Sequence, residues 1–453
     1  MTELFPFRPN WTDGVEVRTS HKTDVFTSRS GREQRRALRM TPRRTVTYSS
    51  VTVGDELVRF QRLMGTKSNQ EFNMPDWSRF VRTHGIEQGA SHFTVRELGV
   101  EWLSNGTTIA VVEGERILIA TITMVEGYTV EVNQPIGQTF SPAAVVRPVF
   151  VGMLGGLTSV TNTSTVASVR VVFDVRPGSV ANSEEMFTPF LLAGQEVFGF
   201  AWNWAETVTC DYQWDVEKVD FQRGVTTTYT PVDFGTVTQK ATIVRQDDAI
   251  GSVLRFLERA KGRRAQFWFP SGTADITLMS DAASGATALV VEGSDLYDKF
   301  AGDPVYSGLA IHTTDGRRVF RKINSITLAS GNSVLNLNSP LSFALPTALV
   351  AKISWLRPSR FASDDQSIEY LTDNVVQLQI TTSSVVLAED VQDYADPDGA
   401  GYWVMDNWGE QSQATLESLD YFVNVAMVYG DVESMGLDEF DDFINSETWT
   451  AIG

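Results

Sequence analysis

Alternation of apolar and polar positions is the first signal in the chain. Val15-Glu16-Val17-Arg18 and Thr23-Asp24-Val25-Phe26 repeat with period two, which predicts half-buried strands. Ser28-Arg29-Ser30-Gly31 reads as a turn, and Arg44-Thr45-Val46-Thr47-Tyr48-Ser49 as a strand of β-branched and aromatic residues. The period then changes. After Asp55, the residues Leu57, Phe60, Leu63 and Met64 fall on one helical face, with Arg59 and Arg62 opposite and Gly65 as the stop. A strand ending at Phe72-Asn73-Met74-Pro75 closes the unit.

The same succession returns further on. Thr236-Val237-Thr238-Gln239-Lys240-Ala241-Thr242-Ile243-Val244 predicts a strand. A helix follows with Ile250, Val253, Leu254 and Leu257 on one face, and Gly262 ends it. Arg255-Phe256 matches Arg59-Phe60, and Gln266-Phe267-Trp268-Phe269-Pro270 matches Glu71-Phe72-Asn73-Met74-Pro75. An aromatic cluster followed by Asn-Trp precedes each unit: Phe5-Pro6-Phe7-Arg8-Pro9-Asn10-Trp11 and Phe198-Gly199-Phe200-Ala201-Trp202-Asn203-Trp204. Trp204 follows Trp11 by 193 residues (204 minus 11). A weaker third copy ends at Asn407-Trp408. Such spacing far exceeds the roughly 20–50 residues of solenoid repeats, so whole-domain duplication is expected, with Trp11, Trp204 and Trp408 as packing residues at domain starts.

Behind each unit lie short strands with Gly, Asn and Pro turns. Gly106-Thr107-Thr108-Ile109-Ala110-Val111-Val112-Glu113-Gly114 resembles Gly285-Ala286-Thr287-Ala288-Leu289-Val290-Val291-Glu292-Gly293. Val130-Glu131-Val132-Asn133-Gln134-Pro135 resembles Leu335-Asn336-Leu337-Asn338-Ser339-Pro340. Each half then returns to an extended strand, at 168–175 and at 374–380. The expectation is a mainly β chain with short α segments: a β-sheet domain carrying an inserted small β-barrel, twice over.

Charge adds a direction. The net charge is −19, which excludes general binding of a nucleic-acid backbone. Yet Arg29, Arg32, Arg35, Arg36, Arg39, Arg43 and Arg44 crowd one segment, and no Lys or Arg follows Arg360. The acidic end includes Asp438, Glu439, Asp441 and Asp442. The arginine segment fits a phosphate-binding strand face or, better, ion pairs with the acidic tail of the same or a neighbouring chain. A single cysteine, Cys210, excludes a disulfide framework and a cysteine-built metal site. The opening residues lack a basic-then-apolar leader, and no apolar run approaches membrane-spanning length. A soluble protein of a reducing cytoplasm is expected.

Chemistry-bearing motifs are sparse. No nucleophile elbow, phosphate loop or His-Glu-x-x-His is present. His84 and His92 read as loop residues beside Gly85 and Gly89 rather than as ligands. Asp393-Tyr394-Ala395-Asp396-Pro397-Asp398-Gly399 breaks the calcium-loop spacing, and a carboxylate pair such as Glu417 and Asp420 carries no information among 56 acids. No cofactor, metal or catalytic residue is expected. The aromatic–Asn–Trp clusters could stack on sugars, but core or interdomain packing fits them better.

The first 75 or so residues carry a resemblance. Phe5 to Trp11, then Thr23-Asp24-Val25-Phe26-Thr27-Ser28, Gly31-Arg32-Glu33-Gln34-Arg35 and Pro42-Arg43-Arg44 are similar to the start of tail-tip proteins, distal-tail or baseplate-hub, of long-tailed bacteriophages. That resemblance implies a tail-tube-type β-sandwich flanked by one helix, joined in a ring around a DNA channel. Read together with the repeated strand pattern, it gives residues 1–80 with 163–177 as tube-like domain 1 and 81–162 as the inserted barrel. A linker at 178–197 follows, then 198–273 with 366–383 as tube-like domain 2 and 274–365 as its barrel. Residues 384–453 form an acidic extension. A duplicated tube domain suits a homotrimeric hub, three copies making a pseudo-sixfold ring. A homohexameric distal-tail protein or a receptor- or glycan-binding fibre protein are the alternatives. Partners implied are the tail tube protein, other tail-tip, spike or fibre proteins, and DNA passing without specific binding. No membrane insertion is expected, and the location implied is the virion tail tip.

Overall fold

Period-two burial builds the sheets. In the computed structural model of the chain, strand Arg43–Val53 buries Val46, Tyr48, Ser50 and Thr52 and turns the intervening residues outward. Residues 2–386 are described, apart from 29–30, 67–69, 98–99, 101, 156–158, 164–165, 180–188, 221, 223, 225, 231–234 and 247. The chain is mainly β, with three α-helices among the described residues. Helix α1 (Asp55–Thr66) follows Arg43–Val53 and buries Phe60 and Leu63. Helix α2 (Asp248–Ala260) follows strand Thr236–Gln246 and buries Ile250, Val253, Phe256 and Leu257. At about 1.5–3 kcal/mol for each fully buried Phe or Leu, these faces rather than helix propensity hold both helices in place.

The hydrogen-bond pattern recurs between the halves, with one constant offset in the leading strands. Val15–Ser20 lies against Arg43–Val53, and Thr209–Gln213 against Thr236–Gln246. Glu16 faces Thr47 and Thr209 faces Lys240, so both partners shift by the same 193 residues (209 minus 16, 240 minus 47). Hairpin Thr23–Thr27/Glu33–Ala37 is matched by Glu217–Asp220/Thr226–Tyr229. Arg43–Val53 bonds Val166–Val175 as Thr236–Gln246 bonds Val375–Ser384. Outside these, Ser159–Thr163 and Asp365–Thr372 take the next places.

The long strands Val145–Leu154 and Val350–Phe361 each serve two structures. Val149 to Gly152 bonds Phe72–Pro75, while Val145 to Pro148 bonds Thr108–Glu113. Leu356 to Ser359 bonds Phe267–Pro270, and the earlier residues of that strand bond Gly308–Thr313. The chain therefore passes from lobe to main sheet within one continuous strand in each half, near Pro148 and Leu356, ahead of the expected bounds at 162 and 365. The parts beyond it form two β-rich lobes with separate cores, one around Phe93, Trp102, Ile109 and Phe140, the other around Leu289, Ile311, Leu335 and Trp355. The main core instead joins both halves, Phe5, Phe7 and Phe173 with Phe198, Phe256 and Tyr370.

Two sequence expectations need correction. The likeness of 106–114 to 285–293 does not mark equivalent strands. Thr108–Glu113 lies between Arg116–Glu126 and Val145–Leu154, a place that Gly308–Thr313 fills in the second half. Ala288–Val291 instead pairs with Asn332–Leu337, as His92–Thr94 pairs with Thr129–Val132. Val-Val-Glu-Gly specifies a strand ending in a positive-φ glycine, Gly114 or Gly293, and not its partner. The end of the expected linker is also packed. Leu192 and Val197 are buried against Trp268, Ala310 and Leu356, and Trp268 Nε1 donates to the Leu192 carbonyl at 2.8 Å.

Candidate assembly interface

The two halves meet edge to edge. All six residues of Val15–Ser20 pair antiparallel with Asp365–Thr372, from Val15 opposite Tyr370 to Ser20 opposite Asp365. Val15, Val17, Ile368 and Tyr370 point into the main core, so register is held by burial as well as by backbone bonds. The result is one row of strands in the order 209–213, 236–246, 375–384, 365–372, 15–20, 43–53, 166–175, 159–163.

The arginine segment clamps this seam. Its strand Glu33–Ala37 pairs with Thr23–Thr27, and the hairpin reaches the second half. Arg35 donates through Nη1 to the Arg264 carbonyl at 3.2 Å and through Nη2 to Gln266 Oε1 at 3.0 Å. Glu33 accepts both arms of the Arg360 guanidinium, Nε at 2.6 Å and Nη2 at 2.7 Å, with side chains only 10% and 12% exposed. Asp364 accepts the backbone N–H of Thr23 at 2.6 Å and of Arg263 at 2.9 Å, and Arg263 returns a bond to the Thr23 carbonyl at 2.6 Å. Burial alone raises the Asp364 pKa, but the amides of Arg263 and Thr23 outweigh it and hold the carboxyl below its usual range. Arg44 lies 3.7 Å from Glu258, and burial lowers its pKa. Arg39 donates to the Ser20 carbonyl at 3.1 Å. The outer pair Arg18–Asp365, at 2.6 Å, is solvent-exposed and contributes little.

The contacts described for Arg35 and Arg44 thus reach the second half of the same chain, and the acidic tail expected to meet them lies outside the described residues. Arg32, Arg36 and Arg43 are exposed. Arg29, Asp438, Glu439, Asp441, Asp442 and Trp408 lie outside the described residues, as do 393–399, Glu417 and Asp420.

The two described tryptophans of the Asn-Trp repeat diverge. Trp11 is half-buried against the main core, whereas Trp204 is 55% exposed, with the Lys352 ammonium 5.9 Å from its ring centre. Trp202 takes the buried place, stacked on Phe198 at 5.3 Å. The shared element is the asparagine. Asn10 N–H donates to the Ser49 carbonyl at 2.6 Å and Asn203 N–H to that of Thr242 at 2.8 Å. Each side-chain oxygen accepts an N–H two residues on, from Thr12 at 3.3 Å and Ala205 at 3.2 Å. Asn therefore fixes the turn that leads into Val15–Ser20 and Thr209–Gln213, while the tryptophans that follow differ in burial.

Elsewhere, His84 and His92 are exposed, and no cluster of three or more His, Cys, Asp or Glu is placed to hold a metal among the described residues. His312 is half-buried, and burial with the charges of Lys352 and Arg318 brings its pKa down to about 4. No helix of the described residues is long and apolar enough to cross a membrane. No protein-family model matches this chain, and no curated protein matches it.

Proposed function

We propose that this chain is a structural component of a bacteriophage tail tip. In this reading it is a hub whose two halves are duplicated tail-tube-like β-sandwiches, each with one short helix and an inserted small β-barrel. Three chains then supply six such units, forming a pseudo-sixfold ring that continues the DNA channel and adapts a sixfold tube to threefold tip and fibre proteins. The supporting observation is the seam itself. Two units with the same hydrogen-bond order are joined edge to edge within one chain, Val15–Ser20 on Asp365–Thr372. Ring building needs that operation repeated between chains. The net charge of −19 suits a surface past which DNA slides without sticking. The N-terminal resemblance supplies the tail-tip setting.

Native mass spectrometry of the full chain, with symmetry from images of the purified assembly, tests this. Three copies with six similar sectors are expected. Six copies per ring overturn the hub in favour of a hexameric distal-tail adaptor.

A further inference from the structure

Two strands end the joined row. Among the described residues Thr209–Gln213 pairs only with Thr236–Gln246, and Ser159–Thr163 only with Val166–Val175. Their counterparts in the hydrogen-bond pattern are the two strands that meet at the seam. Thr209 faces Lys240 as Glu16 faces Thr47, and Val160 faces Val169 as Ile368 faces Leu378. One chain therefore contains a made junction and, at opposite ends of its row, the two sides of another.

Both ends lack the usual guards of an edge strand, lysine or proline. Ser159–Thr163 is uncharged, and Thr209–Gln213 carries only Asp211. Exposed apolar side chains gather there: Val160 and Met153 at one end, Tyr212 and Trp214 at the other, the last two stacked 6.3 Å apart. The hairpin Glu217–Asp220/Thr226–Tyr229 is exposed along both strands and carries Val219 and Tyr229, whereas its counterpart at 23–37 is seated on the other half.

We propose that strand Thr209–Gln213 of one copy pairs antiparallel with strand Ser159–Thr163 of a second copy, Cys210 opposite Val160, the hairpin at 217–229 lying over that copy's first half. The register is copied from Val17 opposite Ile368, a pair buried at the seam. This rests on the assembly reading above and names its surface. Such a head-to-tail contact closes into a ring when its rotation permits.

Cys210 is the single cysteine, so Val160→Cys in the full chain gives a clean cross-linking test. Facing residues of an antiparallel pair lie about 4.5–5.5 Å apart at Cα, within the roughly 4.4–6.8 Å a disulfide spans. Mild oxidation is expected to give a reducible species of three chain masses on a denaturing gel. Cys210→Ser in the same background abolishes it, and Thr161→Cys, on the opposite strand face, gives far less. A three-copy assembly by native mass in which Val160→Cys cross-links no better than Thr161→Cys overturns this surface and leaves the hub reading standing. Cross-linked species of six chains support the surface and overturn the trimer. A chain that stays monomeric and uncross-linked overturns both. Val160→Lys reads the same edge without a cross-link. It should raise the concentration for half-assembly by at least about tenfold with an unchanged circular dichroism spectrum, and an unchanged concentration overturns the pairing.

Discussion

Removing either member of the Glu33–Arg360 pair should loosen the seam without unfolding the lobes. Both side chains are about nine-tenths shielded, and two charge-assisted bonds of 2.6 and 2.7 Å join them. Leaving one buried charge without its partner costs about 3–5 kcal/mol. Arg360 keeps its Nη1 bond to the Phe361 carbonyl at 3.0 Å, and Glu33 keeps the Arg35 Nε at 4.0 Å, so the lower end applies. Glu33→Leu or Arg360→Met alone should therefore cost about 3 kcal/mol, roughly a hundredfold in the opening equilibrium. Replacing both, as Glu33→Leu with Arg360→Met, removes the stranded charge and should cost only about 0–1 kcal/mol. The coupling from the matched single and double variants is then large.

Native-state hydrogen exchange is the suitable assay, because a local seam opens below the global unfolding free energy. Amides of Val15–Ser20 and Asp365–Thr372 should exchange about a hundredfold faster in each single variant. Amides between Arg318–Ala329 and Asn332–Leu337, in the second lobe, should not change. Single variants costing less than about 0.5 kcal/mol, or effects that simply add, would show that the pair is screened like a surface pair and refute the clamp.

Three further outcomes are expected. The depressed Asp364 carboxyl contributes stability that is complete above the unfolded carboxylate value of about 4 and is lost as pH falls through the lower folded-state value. Asp364→Asn should flatten that acid limb in melting scans. His312, depressed to about 4, favours the fold in its neutral form. Its contribution is present above the unfolded value of about 6.5 and is lost as pH falls from there towards 4; its NMR titration midpoint should lie near 4 and rise in Lys352→Gln. Gly152→Ala should destabilise by about 1–3 kcal/mol in denaturant melts, since a Cβ there meets the Asp174 carbonyl and the Phe173 ring.

Much of this fold was legible because its signals are local. Alternation marked Arg43–Val53, and the spacing of Leu57, Phe60 and Leu63 marked α1, whose face is set by its own residues. Partner choice was not legible. Ala288–Val291 and Thr108–Glu113 look alike yet occupy different places, because an apolar run ending at a glycine turn fits either. The arginine segment was visible as an interface, but Glu33 and Arg360 stand 327 residues apart and nothing local links them. Tryptophan is the conspicuous residue of the Asn-Trp repeat. The turn bonds belong to Asn10 and Asn203.

The two junctions differ in chemistry, and the difference solves a pairing problem. Backbone bonds alone would let Val15–Ser20 accept either Asp365–Thr372 or a second copy's Ser159–Thr163, and Thr209–Gln213 accept either as well. At the seam the selecting pair is Glu33 with Arg360. The equivalent places at the free ends hold Thr226, which faces Asp220 as Glu33 faces Thr27, and Met153, which faces Asp174 as Arg360 faces Ser383. Setting the 23–37 hairpin on a second copy's Met153 would bury Glu33 without its arginine. Setting the 217–229 hairpin on Arg360 would bury that cation against Thr226. Each wrong pairing carries about 3 kcal/mol, near a hundredfold preference for the right one. The ion pair thus acts against the alternatives more than for stability, since an apolar pair would hold the seam about as well. Glu33→Leu with Arg360→Met should leave the seam closed in exchange experiments yet broaden the assembly from one species to several in native mass spectra. A single unchanged species would assign selection to the strands themselves.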